Sequence, residues 1–301
     1  MLRSENWPTL LEPIIRKYVA DALKEIPEQK NKIFNVQKSD KAKVEVTSVG
    51  SLGDFEEFKG QVLYDEIYPG YKTTYEFPEY VKGIQIERKI YDDDQTQIIK
   101  NRSKLIGVSY RRSQEKSAAS VFNNAFNAAY VGADGQPLCS TAHPSKVPGV
   151  AVQSNRGALA LTHANLVSTI ETMKAFGNDR GEKFLVNPDT LLVPTALEDT
   201  ALEIVSGKEK PGTADRDVNV FQLAQSRYRI KSLIVWDWLT DSNNWFVIDS
   251  VYAKIFLDWY DRIPLEITQD KSSNTFVARY VGYARYQCGW SDWKFVCGNA
   301  V

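Results

Sequence analysis

The chain has 301 residues, a net charge of −1, and 43% hydrophobic and 25% charged residues. That balance allows a substantial core, in one lobe or two, and excludes wholesale disorder. Near-neutrality without a basic block disfavours a dense phosphate-binding face, and no apolar run approaches the ~20 residues of a membrane span.

Residues 9–26 read as an N-terminal helix after Pro8, with Leu10, Leu11, Ile14, Ile15, Val19 and Leu23 as its apolar face. Residues 27–43 are polar and basic, without a core of their own, so the helix is expected to dock on its own domain or on a neighbour. Tyr71, Thr73, Tyr75 and Phe77 then alternate with polar residues, as do Ile84, Ile86 and Ile90. This period of two, bounded by Pro69-Gly70 and Gly83, predicts an extended β hairpin. A long helix follows from Gln95 to about Tyr130, roughly 50 Å at 1.5 Å per residue, closed by Gly132-Ala-Asp-Gly135. Its apolar set is Leu105, Ile106, Ala118, Val121, Phe122, Ala125 and Phe126, and Gly107 and Val108 weaken its middle.

Beyond a Ser/Pro/Gly-rich loop over 137–156, a helix is expected at 161–176 with Thr162 as its cap. Short buried strands are expected at 184–186 and 191–193, then a helix at 195–206. A polar loop over 207–217 contains Lys208, Lys210 and Pro211. Strands at 230–236, 245–248 and 276–286 close the chain, the last with Phe276, Ala278, Tyr280, Ala284 and Tyr286 on one face. The class is α+β, without a repeat of 20–50 residues.

Candidate chemistry is sparse. Cys139 stands four residues from His143, the spacing of a conceivable nucleophile and base, but a structural cysteine and a surface histidine read better. Cys288 and Cys297 lack further ligands at zinc spacing. Asp92, Asp93 and Asp94 stand just before the long helix, where capping explains them better than a cation site. The clusters Asp54-Glu56-Glu57 and Asp258-Asp261-Glu266 read as solvated faces or salt-bridge partners. No cofactor, metal or catalytic constellation is expected. Three scattered cysteines form no disulfide framework, and residues 1–8 have no signal-peptide core, so folding in a reducing cytoplasm is expected. The seven Trp and fifteen Tyr suit large packed surfaces within or between subunits.

Several ordered blocks carry a resemblance: Phe55-Glu-Glu-Phe58, Glu87-Arg-Lys-Ile90, Phe122-Asn-Asn-Ala-Phe126, the run Ala133 to Pro144, Leu185-Val-Asn-Pro188, Leu191-Leu-Val-Pro194, Trp236 to Asp249 and Leu257-Asp-Trp-Tyr-Asp-Arg262. In this order they resemble tailed-phage major capsid proteins of the Hong Kong-type fold, nearest the Mu-like head subunits, over nearly everything after about residue 35.

The resemblance implies an N-terminal arm (1–43), an E-loop β hairpin (44–91), a peripheral domain with a spine helix (92–186), an axial domain (187–250) and peripheral return strands (251–301). It also implies a structural, non-enzymatic shell subunit that forms hexamers and pentamers around double-stranded DNA without sequence-specific binding. Scaffolding, portal and decoration proteins are the implied further partners, and assembly in the host bacterial cytoplasm and residence in the virion follow from it. Under it, Tyr71, Lys72, Tyr75, Phe77 and Tyr80 are the E-loop residues that touch a neighbouring subunit. Asp92–Asp94 are the hinge, and Lys208, Lys210 and Pro211 lie near the local axis. Some relatives crosslink through an E-loop lysine, for which Lys59, Lys72 or Lys82 stand available. An encapsulin-like compartment shares the fold and is the alternative, with a Cys139/His143 hydrolase as the alternative from another class.

Overall fold

The computed structural model describes residues 7–49, 57, 60, 64, 69–93, 95–209, 211, 217–272 and 276–301. Expectations resting on Asp54, Phe55, Glu56, Phe58, Lys59, Asp94 or Lys210 lie outside them.

Helix α1 (Trp7–Glu25) buries Trp7, Leu11, Ile15, Val19 and Ala22 and leaves Leu10 and Ile14 facing out. It docks on its own chain, along α4 (Thr96–Asn123). A Cβ on Gly107 would stand 2.9 Å from the Val19 carbonyl oxygen and 3.0 Å from the Ala22 Cβ. The glycine that weakens the helix on propensity is therefore the point where α1 comes closest. The Tyr280 hydroxyl donates to the Pro8 carbonyl at 2.7 Å, and Arg16 to that of Ile267 at 2.6 Å, so α1 also meets the sheet under α4.

Residues 27–43 have no separate core, as expected, but they contribute to the main one. A short helix α2 (Lys30–Ile33) delivers Phe34, fully buried, edge-on to Phe122 and Trp259 at 6.5 and 6.3 Å. Strand β1 (Asn35–Lys38) then joins the main sheet.

The expected hairpin divides between two sheets. Strand β3 (Pro69–Glu76) pairs antiparallel with β2 (Lys43–Val49), forming a two-stranded ribbon. Strand β4 (Glu79–Glu87) pairs instead with β10 (Val277–Trp290). The ribbon is thus narrower than 44–91, and β4 belongs to the body. Ile86, against the sheet face, is fully buried, which accounts for β4's alternation.

The main sheet has the order β1-β9-β10-β4, with β9 (Leu257–Ser272) parallel to β1 and antiparallel to β10. A sixteen-residue β9 was not legible in the sequence. Its acids and Pro264 hide the alternation, and its register shifts opposite Tyr283–Tyr286, around that proline. On β10, Ala278, Tyr280, Ala284 and Tyr286 point inward as expected, whereas Phe276 is exposed.

Between β4 and α4 lies a short helix, α3 (Arg88–Asp92). Helix α4 stops at Asn123, not near Tyr130. Its end runs Phe-Asn-Asn-Ala-Phe-Asn, and these amides compete for backbone groups. Asn124 donates to the Ser120 carbonyl at 2.9 Å, while Asn123 accepts from the Thr240 N–H and donates to the Trp238 carbonyl, both at 3.0 Å. Leu105, expected inward, is 61% exposed.

A second sheet has the order β5-β11-β8-β6-β7, from β5 (Arg156–Gly157), β6 (Thr190–Val193), β7 (Ser232–Val235), β8 (Trp245–Ile248) and β11 (Val296–Asn299). Helices α5 (His163–Lys174), α6 (Glu198–Ser206) and α7 (Ser250–Phe256) complete this half. Thr162 caps α5 as expected, its hydroxyl accepting from the Asn165 N–H at 3.2 Å. Residues 184–186 are not a strand, and Leu185 is 79% exposed. One apolar core joins the two halves: Phe122 of α4 meets Trp236 at 6.0 Å and Phe246 at 5.3 Å. Among the described residues, no helix is long and apolar enough to cross a membrane.

Candidate functional site

The ribbon β2–β3 is the feature built for contact. Period-two alternation gives it one apolar face, and that face is already used within the chain. Tyr75 packs 5.2 Å from Tyr260, and Phe77 stands edge-on to the same ring at 6.4 Å, with Val44 and Val46 beside them. On β4, Tyr80 stacks on Tyr286 at 4.1 Å. Within their own subunit Tyr75 and Phe77 are thus buried, and Tyr80 is half-buried against the core.

Lys72 points outward and pairs with Glu45 across the ribbon at 2.7 Å. Together with Lys43 it holds the Glu45 carboxyl at about 2. Tyr71 is half-buried. Its hydroxyl donates to the Pro144 carbonyl at 3.3 Å, and its ring lies 4.6 Å from the Lys146 ammonium, which donates to the Gly70 carbonyl at 2.7 Å. The loop at 144–146 therefore fastens the ribbon to the body. Between them lies a cleft of about 340 Å³, walled by Ser48, Tyr71, His143, Phe256, Trp290 and Trp293. The sequence offered no signal for Lys146, which sits in a Pro/Ser loop and acts on a residue far away in the chain.

Cys139 and His143 do not form a nucleophile and base. Cys139 is fully buried and its thiol is pushed well above the usual range, by burial first and then by Cys297 beside it, so it does not supply a thiolate. His143 is not a surface residue. It is buried, stacked on Trp293 at 4.3 Å, with Nδ1 2.6 Å from Asp134 Oδ2 and Nε2 3.0 Å from Asn155 Oδ1. Asn155 also donates to the carbonyls of Leu138 and Val296, so this cluster ties the loop after α4 to β11.

Asp92 and Asp93 belong to the end of α3 and not to the start of the long helix, and Asp94 lies outside the described residues. The N-cap of α4 is Gln95, without a side-chain hydrogen bond and with no acid in the first turn. Asp92 instead ends α3, where it accepts from Arg88 at 3.1 Å, and Asp93 is the C-cap of α3. The helix break between Asp92 and Thr96 is where a hinge would sit.

At the other end of the chain, Lys208 is exposed and Pro211 half-buried. The 207–217 loop is closed by a bridge between Glu209 and Val218, and Asn219 holds its base by donating to the carbonyls of Ile204 and Gly207. Asp258, expected on a solvated face, is buried beneath the ribbon root, and burial raises its carboxyl to about 6.

Comparison with known proteins converges on one family. Residues 70–299, well over half of the chain, match the family model described as phage capsid protein. No match was found among curated proteins. Among solved structures, the chain resembles the procapsid of bacteriophage JBD30 (14% identity, 97% of this chain and 74% of that one, TM-score 0.56). It also resembles a virus-like particle from Pyrococcus furiosus (9%, 96% and 98%, TM-score 0.54) and the SrpI encapsulin of Synechococcus elongatus PCC 7942 (12%, 91% and 87%, TM-score 0.53). At these identities the likeness establishes a shared α+β capsid fold. With the long helix α4, the two-stranded ribbon and the family match over residues 70–299, the chain belongs to the phage capsid protein family.

Proposed function

We propose that this protein is the major capsid subunit of a phage head, in which copies form hexamers and pentamers that close into an icosahedral shell around double-stranded DNA. The observation that carries the reading is the ribbon. Among the described residues β2 and β3 pair only with each other, and no other described strand covers either outer edge. An unprotected edge of this kind is a template for strand addition by, or onto, another chain. Contacts that are individually weak gain strength from closure, because each later contact forms at high effective concentration.

In this reading Tyr71 and Lys72 lie on the ribbon that crosses to a neighbour, and the break at Asp92–Asp94 absorbs differences between hexamer and pentamer. The loop with Lys208, Lys210 and Pro211 gathers near the local axis. The five-part division at residues 43, 91, 186 and 250 belongs to the same reading, with the E-loop narrowed to the ribbon, as does affiliation with the Mu-like head proteins, supported by the ordered sequence blocks. Scaffold, portal and decoration proteins are the expected partners, assembled with it in the host cytoplasm. No enzymatic role is part of it.

The likeness to the SrpI encapsulin supports a compartment shell as the second reading. Purifying the protein, alone and with a scaffold, and imaging it tests both. Closed shells or capsomer rings are expected, and particles that hold protein cargo without DNA would favour the compartment. A monomer under every condition would overturn both readings.

A further inference from the structure

The cleft between the ribbon and the body has no part in strand addition or in shell closure. Its volume of about 340 Å³ falls within the roughly 300–1,000 Å³ of small-molecule sites. Five aromatic side chains line it from five places in the chain: Tyr71 on β3, Phe184, Phe256 at the end of α7, Trp290 at the end of β10 and Trp293 in the loop that follows. Trp290 and Trp293 are buried, whereas Tyr71, Phe184 and Phe256 are half-buried and keep ring surface open. Such a wall favours a flat unsaturated ligand, because offset and edge-on ring contacts add to the burial of area. The polar groups select the charge. Asp134 is engaged by His143 at 2.6 Å, Asp292 by Lys294 at 2.9 Å, and Asp179 has a partner too. Lys146 differs from these. It is exposed, donates to the Gly70 carbonyl at 2.7 Å and lies 4.6 Å from the Tyr71 ring, and no described carboxylate pairs with it. The uncompensated charge at the cleft is therefore positive, and it stands beside an aromatic wall.

We propose that this cleft binds a small planar aromatic molecule carrying one carboxylate or sulfonate, with its rings among Tyr71, Phe184 and Phe256 and its anion on the Lys146 ammonium. One wall belongs to the ribbon and the other to the body, and a molecule seated between them touches both. Occupancy therefore pins β2–β3 where it stands, adding to the clasp that Lys146 already makes. The inference goes beyond the capsid reading and does not depend on it, since both walls come from the same chain. A ligand of about twenty non-hydrogen atoms, at the efficiency usual for that size, has a dissociation constant on the order of tens of micromolar.

The test uses the full-length protein and two dyes that share a ring system: anilinonaphthalene sulfonate, which is anionic, and phenylnaphthylamine, which lacks the sulfonate. Fluorescence titration should show saturable binding of the anionic dye in the range of tens of micromolar, roughly as its size implies. K146Q should lower the ratio of the two affinities, anionic over neutral, by about fivefold, as for an exposed ion pair. K208Q removes an exposed charge elsewhere and should leave that ratio unchanged. Both dyes need the ribbon in place, so the ratio separates the lost charge from a looser ribbon. In the wild type, hydrogen exchange with the anionic dye bound should slow in β2, in β3 and in the loop that carries Lys146. An affinity ratio that K146Q does not change would overturn the assignment. So would the absence of saturable binding, or protection on α4, where Leu105 and Val108 are exposed, in place of the ribbon. Shell formation is scored apart from binding by electron microscopy and bears on the capsid reading alone.

Discussion

Glu115, in the middle of α4, accepts a hydrogen bond from the indole N–H of Trp236 at 3.0 Å, across 121 positions of sequence. Its other oxygen receives the backbone N–H groups of Gln29 and Lys30 at 3.0 and 3.3 Å, at the start of α2. One carboxylate thus joins the start of α2, the middle of α4 and the residue that follows β7. The aromatic packing of Phe122 on Trp236 lies about two turns further along the same helix.

Replacing Glu115 with Ala leaves three buried donors without their acceptor. Each unsatisfied donor costs about 1–3 kcal/mol, with some relief from water. An overall loss of about 3 kcal/mol or more is expected, against a smaller loss for Glu115→Gln, which keeps one carbonyl oxygen in place. Urea unfolding, with Trp fluorescence as the probe, measures both. Equal stability of the Ala variant and the wild type would remove Glu115 from this role.

Gly107→Ala separates helix propensity from packing. In a free helix, alanine for glycine gains about 1 kcal/mol. Here the added methyl meets the Val19 carbonyl oxygen at 2.9 Å and the Ala22 Cβ at 3.0 Å, and the first of these is backbone that cannot swing aside. The variant should therefore lose stability, by about 1–2 kcal/mol net of the propensity gain. Hydrogen exchange should quicken in residues 7–25 first, because α1 is the element displaced. A variant more stable than the wild type would mean that α1 shifts at no cost.

The contrast between Gly107 and Phe34 shows what was legible in the sequence and why. Elements with a strong local period were readable: α1, α4, α5, α6 and the alternation of β3 and β10. Their ends were less so, because asparagine side chains and not a glycine terminate α4. Pairing was not readable at all, since β3 and β4 share one alternating pattern yet belong to different sheets. Phe34 and β1 were invisible because a four-residue strand in a basic stretch carries no period. At the candidate site, the ribbon and its aromatics could be read from the sequence. Their burial against Tyr260, and the clasp from Lys146, depend on contacts more than 70 positions apart that no spacing encodes.

Asp258 makes the ribbon root sensitive to pH. The carboxyl is buried, with Gln37 donating to it at 3.4 Å and the rings of Tyr75 and Tyr260 nearby, and burial raises it from 3.8 to about 6. For an acid with a raised folded-state value, the folded chain holds the proton more tightly than the unfolded one. The stabilisation is complete below about pH 4 and is lost as pH rises from there to about 6. Asp258→Asn keeps the shape without the charge, so it should be more stable than the wild type above pH 6, by about 2 kcal/mol, with the difference shrinking toward pH 4. Urea midpoints of the two proteins at pH 4, 5, 6 and 7 read this directly, and parallel curves would show that Asp258 titrates normally.

The clasp between Lys146 and the ribbon sets how readily β2–β3 swings toward a neighbour. Lys146 makes two contacts there, the hydrogen bond to the Gly70 carbonyl and the cation–π contact with Tyr71. Both are near the surface, where a cation–π contact contributes about 0.5–1 kcal/mol. Lys146→Met keeps the aliphatic stem over the ring and removes the charge and the donor. Global stability should fall by less than about 1 kcal/mol, because the core beneath is untouched. Local opening should become several-fold more frequent, seen as faster hydrogen exchange in residues 43–49 and 69–76 and not in β10. If the ribbon edges mediate assembly, a looser ribbon should also shorten the lag before shells form, measured by light scattering at equal protein concentration. Faster exchange without faster assembly would mean that the ribbon's release is not the slow step, and unchanged exchange would mean that Tyr75 and Phe77 alone hold the root in place.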